Sequence, residues 1–339
     1  MYQYPSGGQP PIYNSNYYPQ TVLLHHEKSA IRKAALYCGI PMIITALIMD
    51  LWFYPYFIVL QFFGIDQQKA IEIASEPAVS AVMGIIISAF TFIVPFSIVY
   101  LVSGKKFSAI IPPFSPQKGL WAPFLLIGLG FCAFSNIGTN ILSQFFESLG
   151  FEYNLSMGED PKGIFGFFLA VISTAIVPAL VEEYACRGVL HSILSRFGEG
   201  FSIFITALLF GVMHGNFRQI PFAFVLGLYF GYVRVKTGTL WICVVLHFIN
   251  NFVSTLLSWL PDTLSVAEQN VIYVIYLAVS LICAVIGIVM LKKFDTDFFK
   301  LKKPQSICAE GQKYKWFFSS AFTIIFFILN ILGAISYIG

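Results

Sequence analysis

Past a polar N-terminal stretch, the chain alternates long apolar runs with short polar joints. Nine apolar segments stand out, with approximate limits 34–61, 79–102, 120–146, 164–195, 201–217, 219–233, 239–260, 270–291 and 316–338. A hydrocarbon layer of about 30 Å takes roughly 20 helical residues to cross, so most of these are long enough to span it. In lipid the backbone must satisfy its own hydrogen bonds. Runs this long and uniformly apolar do so as helices rather than as the alternating strands of a barrel. The pattern therefore predicts an all-α, polytopic membrane protein with about nine transmembrane helices. The fifth and sixth segments are short and parted only by the polar cluster His214–Gln219, so a re-entrant pair, and a count of eight, is the alternative. Such a pair is expected to reverse the sidedness of every later segment, which favours nine. Pro41, Pro55, Pro95, Pro123, Pro178 and Pro221 fall in or near spans, where they kink helices or open cavities.

The pattern divides the chain into two units. Residues 1–33, rich in Tyr, Pro, Gln, Asn and Gly, read as a disordered cytosolic tail ending in the basic flank Lys28, Arg32 and Lys33. They lack the apolar core of a signal peptide. Residues 34–339 read as a single helical transmembrane domain, and no internal repeat is evident to support a transporter of inverted repeats.

Composition narrows the class further. Hydrophobic residues make up 57% of the 339 and charged residues 11%, against about 25% charged in a soluble domain. Mean hydropathy is +0.77. These values exclude a soluble enzyme, a nucleic-acid partner and a disulfide scaffold as leading classes. The six Cys show no CxxC spacing and read as small buried hydrophobes. The net charge of +3 matters less than its placement. In the nine-span arrangement most of the 20 basic residues fall on the side of the N-terminal tail, including Lys105, Lys106, Lys118, Arg196, Arg234, Lys236 and the run from Lys292 to Lys315. Only Lys69, Lys162 and Arg218 fall opposite, among acidic residues such as Asp66, Glu72, Glu76 and Glu147. That bias predicts a cytosolic N-terminus and an outward C-terminus. The plain tail, with no targeting segment, points to a prokaryotic cell membrane.

Ionisable groups inside the apolar runs are functional suspects. Glu182-Glu183-Tyr184-Ala185-Cys186-Arg187 comes directly after the run FLAVISTAIVPALV. Glu183 and Arg187, at i and i+4, share a helix face and can pair, whereas Glu182 points about 100° away without a partner. A structural ion network at a helix end is the competing interpretation. His214 lies one turn after Phe210, and His247 and Asn251 share another face one turn apart. Each histidine alone reads as an interhelical hydrogen-bonder. Together with Asn251 and an unpaired Glu182 they are also a candidate Zn²⁺ set, three protein ligands and an open position being what a catalytic zinc needs. Depth along the two helices differs by roughly 8 Å between His214 and His247, which a helix starting outside the hydrocarbon would absorb. Gly227 and Gly231 form a GxxxG face for close helix packing. Asp50, inside the first span, has no firm account from sequence.

EExxxR at Glu182–Arg187, FxxxH at Phe210–His214 and HxxxN at His247–Asn251 occur in order in successive apolar segments. In this the chain resembles the CPBP family, the CAAX-protease and bacteriocin-processing (Abi) intramembrane endopeptidases, over a catalytic core of about 160–260. The resemblance implies metal-dependent peptide hydrolysis in the membrane, with zinc or another divalent ion. It makes Glu182 the base, gives the metal side to Glu182, His214, His247 and Asn251, and leaves Glu183 and Arg187 to orient the site. The implied partners are the lipid bilayer and a membrane-associated peptide or protein, lipidated or not, with CAAX-type or bacteriocin processing as the activity. A non-catalytic scaffold or bacteriocin-immunity protein, binding a peptide in the same cavity, is the second expectation. An ion-coupled transporter using the same polar groups as a relay is the third.

Overall fold

The computed structural model describes residues 19–104, 120–151, 162–260, 264–294, 296–304 and 306–336. Among them all regular structure is helical, as a chain that must close its own backbone hydrogen bonds in lipid requires. The helices are α1 (Gln20–Leu51), α2 (Phe53–Phe62), α3 (Gln67–Ser75), α4 (Pro77–Val102), α5 (Trp121–Ser148), α6 (Gly163–Phe197), α7 (Glu199–Val212), α8 (Ile220–Thr237), α9 (Trp241–Trp259), α10 (Val266–Leu291), α11 (Thr296–Phe299), α12 (Glu310–Phe318) and α13 (Ala321–Ser336). The chain is a multi-pass membrane protein. Along α10, Val274, Ile275, Leu281, Ile282 and Val285 are exposed, an outward apolar surface suited to lipid.

The expected count of nine spans is not reached. Six helices, α1, α4, α5, α6, α9 and α10, are long and apolar enough to cross among the described residues. A seventh counts if α12 and α13, bent by 68° at their joint, form one span. The shortfall is in the fifth and sixth segments. Helix α7 has only 14 residues, and α8 carries Arg234 and Lys236 in its last turn. Gly227 and Gly231 let these two helices close on each other. A Cβ at Gly227 would lie 2.9 Å from the Ala207 Cα, and one at Gly231 would lie 3.2 Å from the Ile203 side chain.

The hairpin of α7 and α8 starts and ends on one face of the molecule. The Lys302 amide donates to the Glu199 carboxylate at 2.7 Å, and Lys236 Nζ donates to the Lys300 carbonyl at 2.7 Å. A hairpin that enters and leaves on one side leaves the sidedness of the later helices unchanged, whether it crosses fully or turns back. The expected reversal is therefore corrected: the basic 292–315 stretch stays on the side of the tail in either case. Arg196 Nη2 joins that face by donating to the Ala30 carbonyl at 3.3 Å, and Lys313 Nζ by donating to the Phe197 carbonyl at 3.0 Å. At the opposite end Arg218 pairs with Glu147 at 3.3 Å.

The expected tail boundary also moves. Residues 20–33 are helical, the first turns of α1, because Leu23 and Ile31 are buried. Glu27 also accepts from the amides of Ile307 and Cys308 at 3.2 and 3.0 Å and from the Ser306 hydroxyl. Residues 1–18, with Lys105, Lys106, Lys118 and Gly339, lie outside the described residues.

Candidate active site

Helix α6 is wound unevenly where the polar residues sit. Ile172–Ile176 and Tyr184–Leu190 are π-helical, a winding that recurs at functional sites. Pro178 has no N–H to offer the Thr174 carbonyl four residues back. Asn251 Nδ2, from α9, donates to that carbonyl instead, at 3.0 Å. The two helices are joined again by the hydroxyls of Thr174 and Thr255, 2.8 Å apart.

The second π stretch begins immediately after Glu182 and Glu183. Arg187 Nη1 donates to Glu183 Oε1 at 2.8 Å, with both side chains fully buried, so the i, i+4 pairing expected from spacing is present. Arg187 Nη2 donates to the Gly227 carbonyl at 3.3 Å. Its guanidinium lies 4.4 Å from the Phe210 ring centroid and 5.2 Å from that of Phe230. Two aromatic faces and a carboxylate thus share one desolvated cation. Glu183 Oε1 also accepts from His247 Nδ1 at 3.0 Å. In the neutral imidazole that bond leaves Nε2 without a proton, as an acceptor or ligand.

His247 Nε2 faces Glu182 Oε2 at 3.8 Å, and that oxygen is buried without a hydrogen-bond partner. His214 sits just past the end of α7, and Gly215, at φ 61°, turns the chain there. Its ring folds back so that Nδ1 donates to the Phe210 carbonyl at 2.8 Å, which frees its Nε2 in the same way. Both imidazoles pack against Phe210, with centroids 5.1 and 5.7 Å away. Both rings thus reach the same phenylalanine although they lie at different distances along their helices. Asn216 fixes that turn: its Oδ1 accepts from the Gln219 amide at 2.9 Å, and its Nδ2 donates to the His214 carbonyl at 3.1 Å.

Glu182, Glu183, Arg187, His214 and His247 are therefore brought together around Phe210. Asn251 lies one turn further along α9, tied to Thr174, and its Oδ1 accepts from Asn250 Nδ2 at 3.2 Å. Tyr184 bonds to the Ser97 hydroxyl at 2.6 Å and Tyr229 to the Phe124 carbonyl at 2.5 Å, so both hold helices together. A cavity of about 270 Å³ opens beside Glu182 and His214, walled by Met42, Thr45 and Asp50 of α1, Phe92 of α4, and Phe326 and Asn330 of α13. These walls come from far along the chain. Asn330, the one amide in the run FTIIFFILNILGAI, was the available signal in sequence for the last of them.

The donor types here, imidazole nitrogen and carboxylate oxygen, are ones that zinc accepts. Two donors to one zinc, each at about 2.0–2.1 Å, stand at most about 4.2 Å apart, and the orphaned Glu182 oxygen and His247 Nε2 meet that limit. Among the described residues no group of three or more His, Cys, Asp or Glu side chains is placed to hold a metal ion.

A buried carboxylate pair, two oriented imidazoles and a cavity thus lie together in a helical membrane protein. Residues 164–253 match one family model, described as Type II CAAX prenyl endopeptidase Rce1-like, and this segment contains every site residue named above from Glu182 to Asn251. The resemblance to the CAAX proteases carried by the three motifs is thus matched over this part of the chain. Comparison with curated proteins and with solved structures gives no match.

Proposed function

We propose that the chain is an intramembrane endopeptidase that cleaves a peptide bond in a membrane-associated peptide or protein by Glu182-assisted attack of water. The observation that carries this reading is Glu182 Oε2: buried, without a hydrogen-bond partner, and 3.8 Å from His247 Nε2 beside the cavity. A carboxylate so placed takes the proton from water as it attacks the carbonyl and returns it to the leaving nitrogen. Glu183 holds His247 by Nδ1, and the Phe210 carbonyl holds His214 by Nδ1, so both Nε2 atoms are left in the acceptor state. Arg187 holds Glu183 in place. Glu182, His214, His247 and, from the same helix face as His247, Asn251 would hold a zinc or other divalent ion. Such an ion would supply a Lewis acid for the carbonyl and a more acidic water.

The test uses the purified full chain, its metal content, and hydrolysis of two peptides, one lipidated and of CAAX type and one an unmodified transmembrane segment. Wild type should cleave at least one of them and lose activity to a chelator. Glu182→Gln should lower turnover by about 10²–10⁴-fold, the usual worth of a general base, while largely retaining metal. His214→Ala and His247→Ala should lower both readouts. Full activity in either histidine variant rejects the mechanism. Metal-loaded protein that cleaves neither peptide supports the scaffold or immunity reading instead.

A further inference from the structure

We infer that Asp50 selects a cationic nitrogen on the substrate, a Lys or Arg side chain or a free α-amino group. This rests on the endopeptidase reading and goes beyond it. The cavity that holds Glu182 and His214 runs along α1 from Met42 through Thr45 to Asp50, about 12 Å of helix. Asp50 also lines a second, larger cavity of about 600 Å³, walled by Phe53, Phe57 and Ile58 of α2 and by Ile71 of α3. It is the residue that the two cavities share.

Its surroundings leave that carboxylate unanswered. Asp50 makes no hydrogen bond or ion pair among the described residues, and neither cavity is lined by a Lys or an Arg. The rest of its turn, Leu47 to Leu51, is apolar. An ionisable group in such a run without an internal partner is a functional suspect. Asp50 is exposed at this junction, and its carboxylate attracts a cation and rejects an anion. Asp50 lines both cavities, so a peptide with its scissile bond at Glu182 and its flank in the larger cavity would run beside it. Phe53, Phe57, Ile58 and Ile71 of that cavity suit apolar side chains, Gln61 and Gln67 add amides, and Asp50 is its charged residue.

The experiment uses the full chain in detergent micelles and a set of internally quenched transmembrane peptides, identical except for one position scanned along the flank as Lys, norleucine or Glu. At one position or more wild type should prefer Lys over norleucine by about tenfold in kcat/KM. Asp50→Asn should bring that ratio to about one, Asp50→Glu should keep it, and Asp50→Lys should turn the preference towards Glu. Free and acetylated N-termini separate the two sources of the cation. The same ratios are read as Kd with the labelled peptides on Glu182→Gln protein, so the selectivity is measured even if hydrolysis fails and the endopeptidase reading falls. A wild-type ratio within twofold at every position, or a preference that survives Asp50→Asn, overturns the inference. So does a failure of the peptides to bind.

Discussion

At the scale of single residues, Arg187 carries the most electrostatic weight. It is fully buried, and its contacts are the Glu183 carboxylate, one backbone carbonyl and two ring faces. Arg187→Ala removes the guanidinium paired with Glu183 at a buried position, and breaking such a pair costs about 3–5 kcal/mol. We expect a large fall in melting temperature and monodisperse yield for Arg187→Ala. Glu183→Gln combined with Arg187→Met, which removes both charges and keeps the volume, should recover much of it. An Arg187→Ala protein that melts with wild type would overturn the role. The pairing itself was legible in the i, i+4 spacing. That Glu183 also receives His247 Nδ1 was not, because that partner arrives from α9, on a separate segment whose rotation no local pattern sets. Glu182 stood out in sequence by having no partner, and its oxygen is still without one in the fold.

At the scale of elements, the α7–α8 hairpin shows what the hydrophobic pattern could and could not say. The GxxxG spacing at Gly227 and Gly231 marked a close packing face, and both glycines do meet α7. The count of nine spans is not confirmed, because apolar character does not separate a crossing helix from a short one packed inside the bundle. Only the 14-residue length of α7 and the basic end of α8 separate the two. The pattern failed on α1, whose first turns look polar in sequence but are held by Glu27 and by buried Leu23 and Ile31. Gly227 couples this packing to the site, since its carbonyl accepts from Arg187. Gly227→Val should push α8 off Ala207 and pull that carbonyl away. Overpacking of this kind costs about 1–3 kcal/mol, and activity should fall with it. Gly84→Ala on α4, where an added Cβ meets nothing within 4 Å, is the control and should change stability by no more than about 1 kcal/mol. Equal melting temperatures and equal activities for the two variants would reject the coupling.

At the scale of the whole molecule, sidedness and catalysis become one question, because the path to Glu182 opens relative to a particular membrane face. Basic residues that lie far apart in sequence gather at one end of the fold: Arg196 on the Ala30 carbonyl, Lys236 on the Lys300 carbonyl, and Lys313 on the Phe197 carbonyl. The acidic N-cap residues Asp66 and Glu76 lie instead in the short connections that flank α3, between α1 and α4. One crossing by α1 separates these two groups, and the even parity of the α7–α8 hairpin keeps the 292–315 stretch with the first. From the positive-inside bias we expect the basic end to be cytosolic. The six native cysteines are free and, apart from the half-buried Cys283, buried, so replacing them leaves a background in which single new cysteines report. Lys303→Cys, in the exposed basic stretch, should react with an impermeant maleimide only when the cytosolic face is open to it. Gln67→Cys, at the exposed start of α3, should react from the outside of intact cells. Labelling of position 303 from outside overturns the orientation, and labelling of both positions from one face overturns the crossing by α1. If both hold, Asp50, one residue from the end of α1 that leads to α3, lies towards the outer face. Substrate that threads past Asp50 to reach Glu182 then enters from that side.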